Sequence, residues 1–288
     1  MTSSDVQIVG VPIGRASLVF EQKVAFHALG RLVYGLAGIA LGIIGLVWRD
    51  FGAVWQPLEN LGAASHRAVV AVIFAAALLF AGAATVWRRT APIGFLALTV
   101  LHFISALGWV PRILGNPGIF GVWNGFCEQF ALVCAGVVGY ASLSPPTSPW
   151  KERAAQTGRL LFAFCAVAFA FGHFTAISDA ASFVPKWIPP GQRFWAWATG
   201  FFHLLAGLAI GSGVQAALAS RLLTAMMAGF GALVWAPMVI AAPSHFNWAG
   251  NAINLALVGA AWVIADSIAS RRSTQAVGDG ASVRHTLT

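Results

Sequence analysis

The chain has 288 residues, 58% of them hydrophobic and 9% charged, with a mean hydropathy of +0.77. That composition excludes a soluble globular domain of appreciable size and points to a set of membrane helices. Lys and Arg number 17 against 9 Asp and Glu, a formal charge of +8, but the basic residues sit at the ends of apolar stretches, where they set topology, so no nucleic-acid role is expected.

In chain order, residues 1–25 mix Asp5, Arg15, Glu21 and Lys23 with short apolar pieces and contain no sustained apolar core of a cleavable signal. They read as a cytoplasmic arm, with the first span as an uncleaved signal anchor. A bilayer core needs about 20 largely apolar residues per helix. The stretches that qualify are 26–47, 66–87, 92–110, 121–142, 157–177, 194–213, 217–241 and 247–267. The linker 143–156 carries Ser144-Pro145-Pro146-Thr147-Ser148-Pro149, a turn-rich run that cannot continue a helix. The segments 48–65 and 178–193, rich in aromatic residues and proline, are the longest loops and suit the headgroup level or a lid over the bundle. The tail 268–288 is polar, with Gly278, Asp279 and Gly280, and is expected to be cytoplasmic and disordered.

The last four spans repeat the first four. Gly30-Arg31-Leu32 matches Gly158-Arg159-Leu160, and Phe51, Trp55 and Pro57 match Phe183, Trp187 and Pro189. Further on, Trp109, Pro111 and Pro117 match Trp235, Pro237 and Pro243, while Trp123, Gly125 and Ala131-Leu132-Val133 match Trp248, Gly250 and Ala256-Leu257-Val258. The register shifts between these groups fall in loops. A repeat with an even number of spans keeps its orientation, so the expected fold is an all-α integral membrane protein of eight transmembrane helices in two parallel four-helix repeats, 26–142 and 157–267, related by an axis along the membrane normal.

Charge sets the expected orientation. Arg15, Lys23, Arg88, Arg89, Lys151, Arg153, Arg159, Arg221, Arg271, Arg272 and Arg284 fall on one side, and only Arg49, Arg67, Arg112, Lys186 and Arg193 on the other. The richer side is taken as cytoplasmic, which places a multi-pass protein in the cell inner (plasma) membrane with both termini inside. Cys127, Cys134 and Cys165 all lie within spans, with no close pair in their spacing, and are read as packing residues. The pairs Gly38/Gly42, Gly121/Gly125 and Gly207/Gly211 have the four-residue spacing of close helix contact.

Ionisable side chains within apolar spans are costly and mark candidate sites. In the outer half of the membrane under this topology lie His173, Asp179, His203, Glu128, His245 and Asn251, which are expected to converge on one outward-facing pocket. Trp187 and Phe202 are taken with Asn251 and His245 as ligand-binding positions. His173 and His203 correspond to Gly45 and Ala77 in the first half, so the second half is read as the active one. The histidine spacing demands neither haem nor a metal site. There is no phosphate loop, hydrolase elbow or metalloprotease helix motif.

Gly158-Arg159-Leu160, Gly172-His173-Phe174, Phe183-Val184-Pro185-Lys186-Trp187-Ile188-Pro189-Pro190 and Trp197-Ala198-Thr199-Gly200 resemble the DoxX-like family of four-helix membrane proteins over about residues 157–267, and more weakly over 26–142. The resemblance implies a compact four-helix unit associated with the membrane subunit of thiosulfate:quinone oxidoreductase or with other redox and detoxification systems. Where that family carries a glutamate shortly after the Thr-Gly pair, this chain has His203.

Two functions from different classes are expected from these features. One is a redox-associated membrane subunit with an outward-facing pocket for quinone or another small apolar substrate, served by a soluble or membrane redox partner, with His173 and His203 binding ligand or relaying protons. The other is a non-catalytic carrier or assembly partner for a lipid or small molecule, a role that paired repeats around a cleft suit equally well.

Overall fold

The computed structural model describes residues 13–51, 64–143 and 148–285, and among them every regular element is helical. In chain order these are α1 (Ile13–Trp48), α2 (Ala64–Val86), α3 (Ala91–Gly115), α4 (Phe120–Ser142), α5 (Pro149–Thr175), the short α6 (Ile177–Phe183), α7 (Gln192–Ser212), α8 (Ala216–Phe230), a π-helical turn (Gly231–Trp235), α9 (Ala236–Ala241) and α10 (His245–His285). Eight of the described stretches are long and apolar enough to cross a membrane: 29–48, 66–86, 91–115, 120–142, 149–175, 192–212, 216–241 and 245–271. The protein is a multi-pass membrane protein in contact with the lipid bilayer.

The spans fall where apolar length places them, and their ends differ for local reasons. The fifth helix begins at Pro149, eight residues ahead of the expected 157, because proline suits the first helical turn and Glu152 there complements the helix dipole. Gly213, at φ 81°, turns the chain out of α7. Helix α1 starts within the expected N-terminal arm. Helix α10 runs on to His285, with no proline after Pro243 to stop it, and Arg271 bonds Glu152 of α5 at 2.7 Å; the last three residues of the expected tail lie outside the described residues. The centre of the expected 48–65 loop, with Trp55 and Pro57, and Ser144–Thr147 of the linker lie outside the described residues.

Helix α1 packs on α2 and α10, α2 on α3, and α3 on α4. Helix α5 packs on α4 and α7, α7 on α8, and α8 on α10. Helices α4 and α10 also touch each other, so they are common walls of two helical rings. Small residues permit this, as expected where lipid removes the hydrophobic drive between helices. A β-carbon on Gly30 of α1 would lie 2.9 Å from the Val263 nitrogen of α10, and one on Gly158 of α5 would lie 2.8 Å from Val138 Cγ2 of α4. Both glycines therefore let a helix approach its neighbour to backbone distance.

Between α4 and α5, the Cys165 thiol comes close to those of both Cys127 and Cys134. The sequence spacing hides this grouping, because the third thiol comes from another helix. All three thiols are free and buried.

Candidate functional site

A cavity of about 620 Å³ opens between α4, α5, α6, α7 and α8. That is a typical volume for a small-molecule site. Phe183, Ile188, Trp195, Met226, Phe230, Leu233, Val234 and Trp235 form most of its wall, and Asn124, His173, Asp179 and Thr199 supply the polar side chains. No lysine or arginine is among the described wall residues.

His173 is placed by the last turn of α5, and Thr199 and His203 lie one turn apart on α7. Thr199 gives its hydroxyl hydrogen to the Trp195 carbonyl at 2.7 Å, and its oxygen meets His173 Nδ1 at 3.4 Å. The His173 ring lies within reach of both the Thr199 hydroxyl and the Ala196 backbone, and its tautomer decides which nitrogen carries the proton. The His203 Nδ1 donates to the Thr199 carbonyl at 2.8 Å, and the two imidazoles lie 5.2 Å apart. His203 is 2% exposed and does not line the cavity; Phe169 and Phe230 hold its ring from two sides, at 5.8 and 6.1 Å. It backs His173 and does not face a ligand. Asp179, on α6, is exposed at the rim.

The matched first helices of the two halves differ at a glycine ladder. In the first half Gly35, Gly38, Gly42 and Gly45 of α1 lie against α2: β-carbons on Gly42 and Gly45 would come within 2.6 Å of Leu79 Cβ and Ala75 Cβ. At the matched spacing from Gly158, α5 carries Ala163, Ala166, Ala170 and His173. Helices α5 and α7 still meet at backbone distance at Ala163, where a β-carbon on Gly207 would lie 2.7 Å from the Ala163 carbonyl oxygen, and the largest of the four replacements, His173, stands at the cavity.

Two further features shape the wall. The carbonyl of Gly231 accepts from the Ala236 nitrogen, widening the helix to a π turn over Gly231–Trp235, while the corresponding stretch before Pro111 stays α-helical. Single π turns recur at functional sites because they re-aim side chains, and here they turn Leu233, Val234 and Trp235 into the wall. Residues 184–191 form a strap between α6 and α7, with Val184, Pro185 and Ile188 in the cavity wall. Gln192 Nε2 donates to the Val184 carbonyl at 2.6 Å and Trp195 Nε1 to the Pro189 carbonyl at 2.9 Å, while Phe183 rests 5.9 Å from the Trp235 ring.

The expected convergence of all the polar candidates is corrected by this geometry. His173 and Asp179 line the cavity, with His203 directly behind, but Glu128, Trp187, Phe202, Asn251 and His245 are not in its wall. Trp187 and Phe202 are 72% and 54% exposed, so they point outward from the bundle. His245 stacks on Trp48 at 5.2 Å, near the Arg67–Asp50 ion pair, because the loop before α10 carries it to the C-terminal end of α1. Two wall residues, Asn124 and Thr199, were absent from the candidate set, as was Gly172, against which the Asn124 amide packs. Asn124 Oδ1 is buried without a hydrogen-bond partner. Its signal in the sequence was a lone amide one position before the matched Gly125, easily passed over beside the histidines.

In the first half, His102 Nδ1 meets Gln129 Oε1 at 3.1 Å in the interior, with both residues buried. Tyr34 packs alongside, stacked 5.6 Å from Phe95 and donating to the Leu132 carbonyl at 2.8 Å. These large side chains occupy the first ring. Among the described residues, no group of three His, Cys, Asp or Glu is arranged to hold a metal ion. The cavity suits an organic ligand with a broad apolar surface and one or two polar atoms. Compared with protein-family models, curated proteins and solved structures, the chain matches none.

Proposed function

We propose that this chain is a tandem form of the DoxX-like unit, with its second repeat binding a quinone-type molecule: a ring bearing one or two oxygens, with an apolar tail. The observation that carries this reading is the cavity itself, about 620 Å³ of mainly aromatic and aliphatic wall with His173, Thr199 and Asn124 as its inner polar groups. A redox-associated role follows from the same residues. Quinone chemistry moves protons with electrons, and His173 is the imidazole positioned to take or give one, with His203 fixing its ring from behind.

Matched glycines at the α1–α10 and α4–α5 seams support a two-repeat reading, as does a matched pair of tryptophans, Trp109 and Trp235, laid over Gly125 and Gly250. On this reading the first repeat is scaffold. The basic-residue bias supports cytoplasmic termini in an inner membrane, with the strap on the outer side, where a soluble redox partner would reach the Asp179 rim.

Mass spectrometry of organic extracts from purified protein, paired with thermal melts in added quinone, tests the binding claim. An isoprenoid quinone retained at near-stoichiometric level, or a rise in melting temperature with quinone, is expected. Neither result being seen would favour the alternative, a non-catalytic carrier or assembly partner.

A further inference from the structure

Asn124 enters the cavity wall from α4 with the two ends of its amide in different surroundings. A β-carbon on Gly172 of α5 would lie 2.9 Å from Oδ1 and 3.6 Å from Nδ2, so the oxygen is the end turned toward α5. There it is buried without a hydrogen-bond partner. The Gly172 Cα–H, directed where that β-carbon would stand, faces this oxygen. A C–H carries a small positive charge, so it favours the amide oxygen over the amide hydrogens as its neighbour and fixes which way the group points. The NH2 is thereby the end left to the cavity, and no described residue takes its hydrogens.

Open space stands beside it. Gly121 precedes Asn124 by three residues on the same face of α4, and a β-carbon there would meet nothing within 4 Å. The same holds at Gly229 of α8, so two wall glycines border free volume. Most of the remaining wall is aromatic or aliphatic, and a polar group in such surroundings is costly until it is paired. The occupant that pairs the NH2 carries an acceptor oxygen on an otherwise apolar body. Charge narrows the choice further: with Asp179 at the rim and no lysine or arginine among the described wall residues, a carboxylate or phosphate is disfavoured against a neutral carbonyl. Resting on the reading of the cavity as the ligand site, we infer that Asn124 is its specificity-determining residue, whose amide N–H donates to a carbonyl oxygen of a neutral, apolar ligand. In a quinone-type ligand this is one of the ring carbonyls. A lipid ester offers the same acceptor, and the test separates the two sources.

Intact purified protein in nanodiscs of ether-linked zwitterionic lipid, which bring no carbonyl, is titrated with a prenyl quinone and with the hydrocarbon that has the same ring and tail without the oxygens. With affinities referred to ligand in the bilayer, the quinone is expected to bind about fivefold or more tightly, as one added hydrogen bond allows. Asn124→Leu should bring the quinone down to the affinity of the hydrocarbon and leave that of the hydrocarbon unchanged. Difference infrared spectra with isotope-labelled carbonyls read the bond itself: one C=O stretch should fall in frequency on binding to the native protein and recover in the variant. Equal affinity for the two compounds, or a quinone preference that survives Asn124→Leu, would overturn the inference while leaving the cavity as a ligand site. Should the variant fail to fold, carbonyl stretches in the native protein that match those in an alkane solvent would overturn it alone. Binding of neither compound would overturn the cavity reading as well. In discs of ester-linked lipid the quinone preference is expected to persist; a loss confined to those discs would keep the carbonyl and assign it to the lipid ester.

Discussion

The six-membered ring of Trp235 lies over Gly250 so closely that a β-carbon at that position would overlap it, and Trp109 lies over Gly125 in the same way. The two pairs share a packing solution but differ in setting. Trp235 follows the π turn and lines the cavity, whereas Trp109 is 5% exposed within the first ring.

Gly250→Ala therefore forces Trp235 to move in a cavity wall, while Gly125→Ala forces an equivalent shift in packed interior. Each should destabilise the protein by about 1–3 kcal/mol, the usual cost of overpacking. Only Gly250→Ala should change ligand affinity. Thermal melts and ligand titrations on the two variants separate these effects, and equal loss of binding in both would detach Trp235 from the site.

Substitution of the histidines should divide them by place. His173→Ala removes a wall group and His203→Ala removes its support, so each should weaken ligand binding by about tenfold or more with expression and folding retained. His102→Ala breaks the bond to Gln129 and should lower stability by about 1–3 kcal/mol without comparable loss of binding. Aggregation of all three variants with parallel loss of binding would mark the histidines as packing residues alone.

The strap depends on two side-chain bonds from α7. Trp195→Phe keeps the ring volume but deletes the 2.9 Å bond to the Pro189 carbonyl, worth about 1 kcal/mol. Ligand release should quicken about fivefold in stopped-flow measurements, with association little altered. Unchanged release would show that the strap does not gate the cavity.

Topology is open to direct labelling. Cysteine introduced at Ser65 or Ser182 should react with an impermeant maleimide in intact cells, against a silent background because Cys127, Cys134 and Cys165 are buried. Reaction only after lysis would invert the orientation and put the cavity mouth on the cytoplasmic side.

The helices were legible because apolar length is a one-dimensional property: each expected span overlaps an observed one, and the proline positions explain the shifted start of α5. The pairing of Gly45 with His173 singles out a residue that lines the cavity. Which polar groups share a wall was not legible, since that depends on rotation about helix axes and on loop paths. Phe202 lies next to His203 yet faces outward, and His245 is carried to Trp48 by the turn before α10. Asn124 belongs to the first half of the sequence but serves the second ring because α4 is a wall of both.

The most direct measurement is photo-crosslinking of the purified protein with a diazirine-bearing prenyl quinone, followed by peptide mapping. Label should concentrate in residues 172–199 and 226–235 and at 121–124, and should be competed away by unmodified quinone. Competable label spread over α1 to α3, or labelling that no competitor displaces, would contradict a ligand site in the second half of this protein.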